Sequence, residues 1–131
     1  MLDLDHSAQL LRLLAEPTRL RLLLLLGEEP LSVAEITSVT QLTQSRISTH
    51  LARLREAGLV YDERVGASAR YRVEPTHWPS DFSPLWQLLS ERVDDDQIAR
   101  DRERAAEIVR RRSRAGGWAE SVAGRMERQY S

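Results

Sequence analysis

The chain has no cysteine. That absence excludes disulfides, catalytic thiols and thiolate metal sites together. Lysine is missing too, so all 19 basic side chains are arginine, which coding composition explains without any recognition chemistry. Long apolar runs are also lacking. The richest, Leu20 to Leu26, is interrupted by Arg21 and is far short of the roughly 18–20 residues that span a bilayer. The N-terminus lacks the order of charge, apolar core and small residues that marks a cleavable signal, so a cytoplasmic location is expected. His6, His50 and His77 lie far apart with no ligand spacing. There is no Gly-rich phosphate loop and no nucleophile–base pattern. Neither an enzyme nor a metal or cofactor site is expected.

What is present fits one folded domain. The length of 131 residues with 41% apolar side chains allows a modest core. The net charge of −1 argues mildly against a strongly basic nucleic-acid binder, but its distribution is uneven. Between Thr43 and Arg72 stand six arginines (46, 53, 55, 64, 70 and 72) against three acids, Glu56, Asp62 and Glu63. A local basic stripe of this kind is the footprint expected of phosphate contact.

Apolar periodicity predicts a mainly α chain with a small β-hairpin. Leucines at 2, 4, 10, 11, 13 and 14 form an amphipathic first helix. Glu16-Pro17 opens a second, since proline suits the first helical position; it is Leu-rich, buried on most sides and expected to end at Gly27. Ser32 and Glu35 form a capping box for a third helix with the inner stripe Val33, Ile36 and Val39. Thr40-Gln41-Leu42 is a turn and Thr43 an N-cap. The fourth helix carries Ile47, Leu51 and Leu54 on one face and stops at Gly58. LVYDER (59–64) and ARYRV (69–73), joined by Gly66-Ala67-Ser68, alternate as a hairpin. Pro75, Pro79 and Pro84 stiffen the next stretch. Helical patterning resumes near Ser83 and runs to Val93. Asp94-Asp95-Asp96 then complements the dipole of a charged helix. That helix is expected to break at Gly116-Gly117, with a further short helix from Trp118 to Tyr130.

Ser32 to Gly58 therefore reads as a helix-turn-helix, and the hairpin behind it as a wing. At about 100° per residue, Ser45, Ser48, Thr49, Ala52, Arg53 and Glu56 point away from the Ile47–Leu54 seam. Gln44 sits in the first turn, where a recognition helix meets base edges. Small polar residues on this face are either base readers or a solvated surface. The following wing, and the scarcity of Glu on the face, favour DNA contact through Thr43, Gln44, Ser45, Ser48 and Thr49. Arg46, Arg53, Arg70 and Arg72 suit phosphates, which position without specifying; on the hairpin, pairing with Asp62 and Glu63 is the competing role.

Three motifs together resemble the ArsR/SmtB-like family of winged-helix transcriptional repressors: Glu16-Pro17-Thr18-Arg19-Leu20-Arg21, Gln44-Ser45-x-x-Ser48-x-His50-Leu51-x-x-Leu54, and Ala57-Gly58-Leu59-Val60. The resemblance covers roughly Leu4 to Trp86. It implies a homodimer paired through its first and last helices, a recognition helix in the major groove, and repression relieved by a ligand or metal. Two-fold symmetry then implies an inverted-repeat operator of double-stranded DNA. Two departures stand out. Metal-sensing relatives often carry Cys-x-Cys at the start of the third helix, where this chain has Ser32 and Ala34. The usual turn glycine is Gln41, which implies a slightly opened or strained turn. The segment RRRSRAGGWAESVAGRMERQYS resembles a linker that in some ArsR-like proteins leads into an S-adenosylmethionine-dependent methyltransferase. That likeness makes a sulfur-pathway metabolite such as S-adenosylhomocysteine an effector to consider. Two alternatives to a free-standing repressor follow: a regulatory module of a methyltransferase fusion, or a dimerisation module without DNA binding.

These readings divide the chain into a winged-helix DNA-binding and dimerisation domain (1–93) and a C-terminal helical extension (94–131). His77, Trp78, Asp81, Phe82 and Trp86 line a ligand pocket near the dimer helices or, since aromatics enrich interface cores, belong to the core or interface. His50, which recurs in the family, is read as packed and hydrogen-bonded rather than metal-binding. The arginines from Arg110 to Arg114 are a solvated helix end or a second nucleic-acid contact.

Overall fold

The computed structural model describes residues 2–130, with side chains to Ala115. Six helices and one hairpin follow in the order α1 (Leu4–Leu14), α2 (Pro17–Glu28), α3 (Val33–Thr40), α4 (Gln44–Glu56), β1 (Val60–Val65), β2 (Ser68–Val73), α5 (Ser83–Arg92) and α6 (Asp96–Tyr130). Two short 3-10 turns, Pro75–His77 and Ser80–Phe82, fill the proline-rich stretch.

Each early helix starts where a side chain takes up its orphan N–H groups. Asp3 accepts from His6 N–H, Glu16 from Arg19 N–H and Thr43 from Arg46 N–H. Ser32 and Glu35 make the reciprocal capping box. At the end of α4, Gly58 takes φ 76°, with Leu59 N–H donating to Leu54 O and Gly58 N–H to Arg55 O. That is a Schellman motif, and its apolar pair Leu54 and Leu59 is fully buried.

α2 is the hub. Leu22 to Leu26 are all buried, and all of them but Leu24 share one cluster with Leu14, Ile36, Val39, Ile47, Leu51, Leu54, Val60, Val73, Trp78 and Phe82. Gly27 does not end the helix, which continues to Glu28. Its role is steric. A Cβ at Gly27 would lie 2.7 Å from Cζ2 and 2.9 Å from Cη2 of Trp86, so the missing side chain is what lets α5 pack on α2.

α6 is more than an extension. Ala105 belongs to the same core cluster, with Ile108 packed against it, so its first half is built into the domain that precedes it. Its anchor is ionic. Arg21 donates to both oxygens of Asp101, Nε to Oδ2 at 2.6 Å and Nη2 to Oδ1 at 2.9 Å, and Nη2 also donates to Thr40 O. Asp101 is only 2% exposed and accepts further from Gln97 Nε2. A buried bidentate pair of this kind fixes relative orientation. The expected break at Gly116-Gly117 does not occur, and the backbone helix runs through it. Glycine weakens a helix by about 1 kcal/mol relative to alanine but does not forbid its dihedrals. The short helix expected at Trp118–Tyr130 is thus the end of α6.

The hairpin pairs Val60 with Val73 through Val65 with Ser68, leaving a two-residue loop in which Gly66 has φ 63°. Ser68, expected in the loop, is the first residue of β2. Tyr71 and Leu31 exchange two backbone hydrogen bonds, of 3.1 and 2.8 Å. This lone bridge ties the hairpin to the segment between α2 and α3.

Two substitutions test these joints. Asp101→Ala strands a mostly buried guanidinium and is expected to cost about 3 kcal/mol, the low end for removing one partner of a buried pair, because Arg21 keeps 17% of its side chain exposed. Gly27→Ala should destabilise by about 1–3 kcal/mol through overpacking against Trp86, although helix propensity alone favours alanine by about 1 kcal/mol. Urea unfolding midpoints measure both; a stabilised Gly27→Ala protein would refute the packing account.

Candidate nucleic-acid interface

α4 buries Ile47, Leu51 and Leu54. With those positions inward, the helical period leaves Gln44, Ser45, Arg46, Ser48, Thr49, Ala52 and Arg53 exposed in one surface, with Thr43 at its start. The face expected from sequence is therefore assembled on one side of one helix. Its groups are not all equally free. Thr49 Oγ1 donates back to Ser45 O at 2.9 Å, leaving the hydroxyl oxygen as an acceptor. Arg46 Nη2 donates to Thr18 Oγ1 at 3.0 Å, which holds its guanidinium near the start of α2. Arg53 has no ion pair among the described residues.

The hairpin lies beside this face. Ser48, Ala52, Arg55 and Glu56 of α4 and Tyr71 of β2 line an open cleft of about 440 Å³. Arg55 reaches Asp62 of β1 at 3.3 Å, and the Leu31–Tyr71 bridge sets the hairpin from the other side. Sequence reasoning missed both Leu31 and Tyr71 as positioning residues; a single bridge leaves no periodic trace.

The two hairpin arginines separate. Arg72 is committed locally. It pairs with Glu63 at 3.1 Å and Glu74 at 3.6 Å, and its guanidinium lies 5.6 Å from the Tyr61 ring centroid. The hydrogen bond to Glu63, then the electrostatic interaction with Tyr61, hold its pKa above the ordinary arginine value. Arg70, opposite Glu63 in register, has no ion pair among the described residues and is half-buried.

The turn between α3 and α4 carries the expected strain. Gln41 has φ 62°, the left-handed region that a side chain disfavours by about 1–2 kcal/mol. Its own side chain offsets part of this, with Nε2 donating to Ser38 O at 2.7 Å.

His50 sits under the face, half-buried, with Nδ1 4.0 Å from Glu16 Oε2. It is packed as expected, but Nδ1 has no hydrogen-bond partner among the described residues. Burial pushes its pKa down; Glu16 opposes this, while Arg19, Arg46 and Arg53 add to it.

The aromatic group divides between core and surface. Trp78 and Phe82 are core residues, 4% and 7% exposed. Trp78 Nε1 donates to Leu59 O at 3.3 Å, and its ring packs 5.0 Å from Trp86, which itself fills the space over Gly27. His77 stacks 5.4 Å from Tyr61 on the surface. Trp78 and Phe82 thus fill space in the core, as the packing alternative expects.

Comparison with known proteins places this architecture. The family model described as "Bacterial regulatory protein, arsR family" matches residues 16–62, from α2 into β1. The arsenical resistance operon repressor of Escherichia coli K12 is 35% identical over 107 residues, covering 81% of this chain and 84% of the relative. The chain belongs to the ArsR family. The arsenic resistance transcriptional regulator ArsR1 of Pseudomonas putida is 48% identical over 63 residues, 47% of this chain, which spans about half (49%) of that relative's length. Among solved structures, HlyU from Vibrio cholerae aligns with a TM-score of 0.56 and 31% identity over 66% of this chain and 90% of its own. An ArsR-like transcriptional regulator from Rhodococcus sp. RHA1 covers 85% of this chain and 89% of its own at 0.53 and 25%. That longer alignment extends beyond the hairpin of this ArsR-family chain.

The half-buried histidine predicts a pH response. A lowered folded pKa means the unfolded chain binds the proton more readily, so stability falls as pH drops below the ordinary histidine value of about 6.5. Burial raises the pKa values of Glu16 and Glu35, but hydrogen bonds and neighbouring cations together outweigh it and lower both, so they add losses only below about 4.3. Unfolding free energies measured between these two pH values should decline with acidification. A His50→Gln protein should show a flatter profile; an unchanged slope would clear His50.

Proposed function

We propose that the protein is a dimeric, sequence-specific DNA-binding repressor, active in the cytoplasm and released from its operator by an effector. The observation that carries this is the exposed polar face of α4 beside a hairpin that is hydrogen-bonded to the α2–α3 junction. A helix so placed enters a major groove while the hairpin meets the adjacent backbone. Gln44, Ser45, Ser48 and Thr49 read base edges, Gln44 being suited to adenine. Thr43, Arg46, Arg53 and Arg70 hold phosphates. Arg72 serves by fixing the hairpin through Glu63 and Glu74 rather than by reaching the duplex.

Dimerisation is supported by apolar side chains left in solvent. Leu4 and Leu11 of α1 lie on one helical face at 84% and 50% exposure, and Leu88 of α5 at 56%. Two-fold pairing there sets the recognition helices about 34–36 Å apart on an inverted repeat.

Relatives of this chain are named for arsenic and arsenical resistance, but a chain without cysteine cannot capture a thiophilic ion through thiolates. We therefore assign the effector to a different chemistry, a small molecule, with sulfur-pathway metabolites the first class to screen.

Fluorescence anisotropy tests the division of labour on two duplexes, one selected by the protein from random sequence and one unrelated. Gln44→Ala with Ser48→Ala should erase most of the preference and leave unrelated DNA bound as before. Arg70→Ala should weaken both equally and make the log–log salt slope shallower by about 0.9. Equal effects of the two variants on both duplexes would overturn the assignment of base readers. Failure of the wild-type chain to bind any duplex at low salt would overturn the repressor reading.

A further inference from the structure

α6 has a second set of features that the interface above leaves unused. It runs antiparallel to α3 and is fastened along it at three points. Asp101 holds Arg21, which donates to Thr40 O. Arg104 Nη1 donates to Val39 O at 3.0 Å. Arg112 reaches both carboxylate oxygens of Glu35, at 2.7 and 3.1 Å, and Pro30 O at 2.8 Å. The chain's net charge is −1, yet its basic groups are concentrated along this helix as well as on α4.

The face turned away from the core repeats at helical spacing. Arg100, Glu103, Arg104, Glu107 and Arg110 line one shallow surface cleft, with Arg111 and Arg114 beside it. Five arginines here face two glutamates. Glu107 alone contacts Arg110, Arg111 and Arg114, at 2.7, 3.2 and 3.4 Å. One carboxylate cannot saturate three guanidinium forks of five donors each, so Glu107 orders these arginines without neutralising them. Arg100 has no ion pair among the described residues.

In a helix-turn-helix the first helix crosses the sugar–phosphate backbone while the second enters the groove. Here the first helix is α3, whose exposed side is Ala34 and Ser38, with the turn residue Gln41 exposed just beyond its end. α6 is fixed beside that side, at the carbonyls of Val39 and Thr40. We propose that the outer face of α6 is a second phosphate-binding surface that takes the backbone of the same duplex where it passes α3. This rests on the DNA-binding reading above. The contact would be sequence-independent and would supplement the wing, giving a near-neutral protein an electrostatic hold that its overall charge does not provide.

The test uses the full chain, the two duplexes of the preceding section, and two triple variants at exposed positions. These are Arg100→Gln, Arg111→Gln and Arg114→Gln together, and the same three positions changed to Lys. Thermal melting confirms that both fold. The Gln variant should weaken the selected and the unrelated duplex by the same factor, with a log–log salt slope shallower by about 2–3, at 0.9 per lost phosphate contact. The Lys variant, which keeps the charges, should retain the wild-type slope. An unchanged slope in the Gln variant overturns the proposal, and so does a Lys variant as weak as the Gln one. If the slope is unchanged while Gln44→Ala with Ser48→Ala still erases sequence preference, the α4 interface stands and only the α6 surface falls. If the wild-type chain binds no duplex, both fall together.

Discussion

The geometry of the domain depends on the buried pair between Arg21 and Asp101. Arg21 stands on the hub helix, Asp101 on the last helix, and the second fork of the same guanidinium reaches the carbonyl of Thr40 at the end of α3. Three helices therefore meet at one side chain. Removing two charges from water is unfavourable unless nearly every donor and acceptor is used, and Gln97 supplies a further bond to Asp101. Such a joint contributes less to net stability than to orientation. It sets the end of α3, and the end of α3 sets the turn from which the exposed face of α4 departs.

The interface is thus held from behind and from the side. Behind it, α2 buries Leu22 to Leu26 and gives α4 its seam. At the side, the hairpin is fixed by one bridge to Leu31 and by Arg55 and Asp62. The hairpin's charges divide the work. Arg72 is drawn into pairs with Glu63 and Glu74, while Arg70 has no ion pair among the described residues. The strained turn residue Gln41 lies between α3 and α4, where a left-handed residue is needed to reverse the chain. Its side chain hydrogen bond to Ser38 partly offsets the strain a glycine would avoid.

Electrostatics in this protein are local rather than global. Nearly equal numbers of acids and arginines give almost no net charge, yet the arginines gather on α4, on the hairpin and along the outer face of α6. Acids are used as fasteners: Glu35 caps α3 and holds Arg112, Glu16 caps α2 and faces His50, and Glu28 and Asp94 hold Arg102. α4 itself carries one acid, Glu56 at its C-terminal end, which leaves the rest of its exposed face suited to an anionic partner.

The sequence by itself determined the local elements. Caps at Asp3, Glu16, Ser32 and Thr43 act within three residues, the Gly58 stop within five, and the seam Ile47–Leu51–Leu54 repeats at the helical period; all are short-range rules written into adjacent residues. They specified the helix-turn-helix, the hairpin and the exposed face of α4. Only the tertiary structure decided the rest. Arg21 meets Asp101 across 80 residues, and Arg112 meets Glu35 across 77. Gly27 turned from an expected helix stop into the space occupied by Trp86, Trp78 and Phe82 entered the core, and the first half of α6 packed onto it. These outcomes depend on which faces come together, and a face is chosen by packing across the whole chain, which no local periodicity encodes.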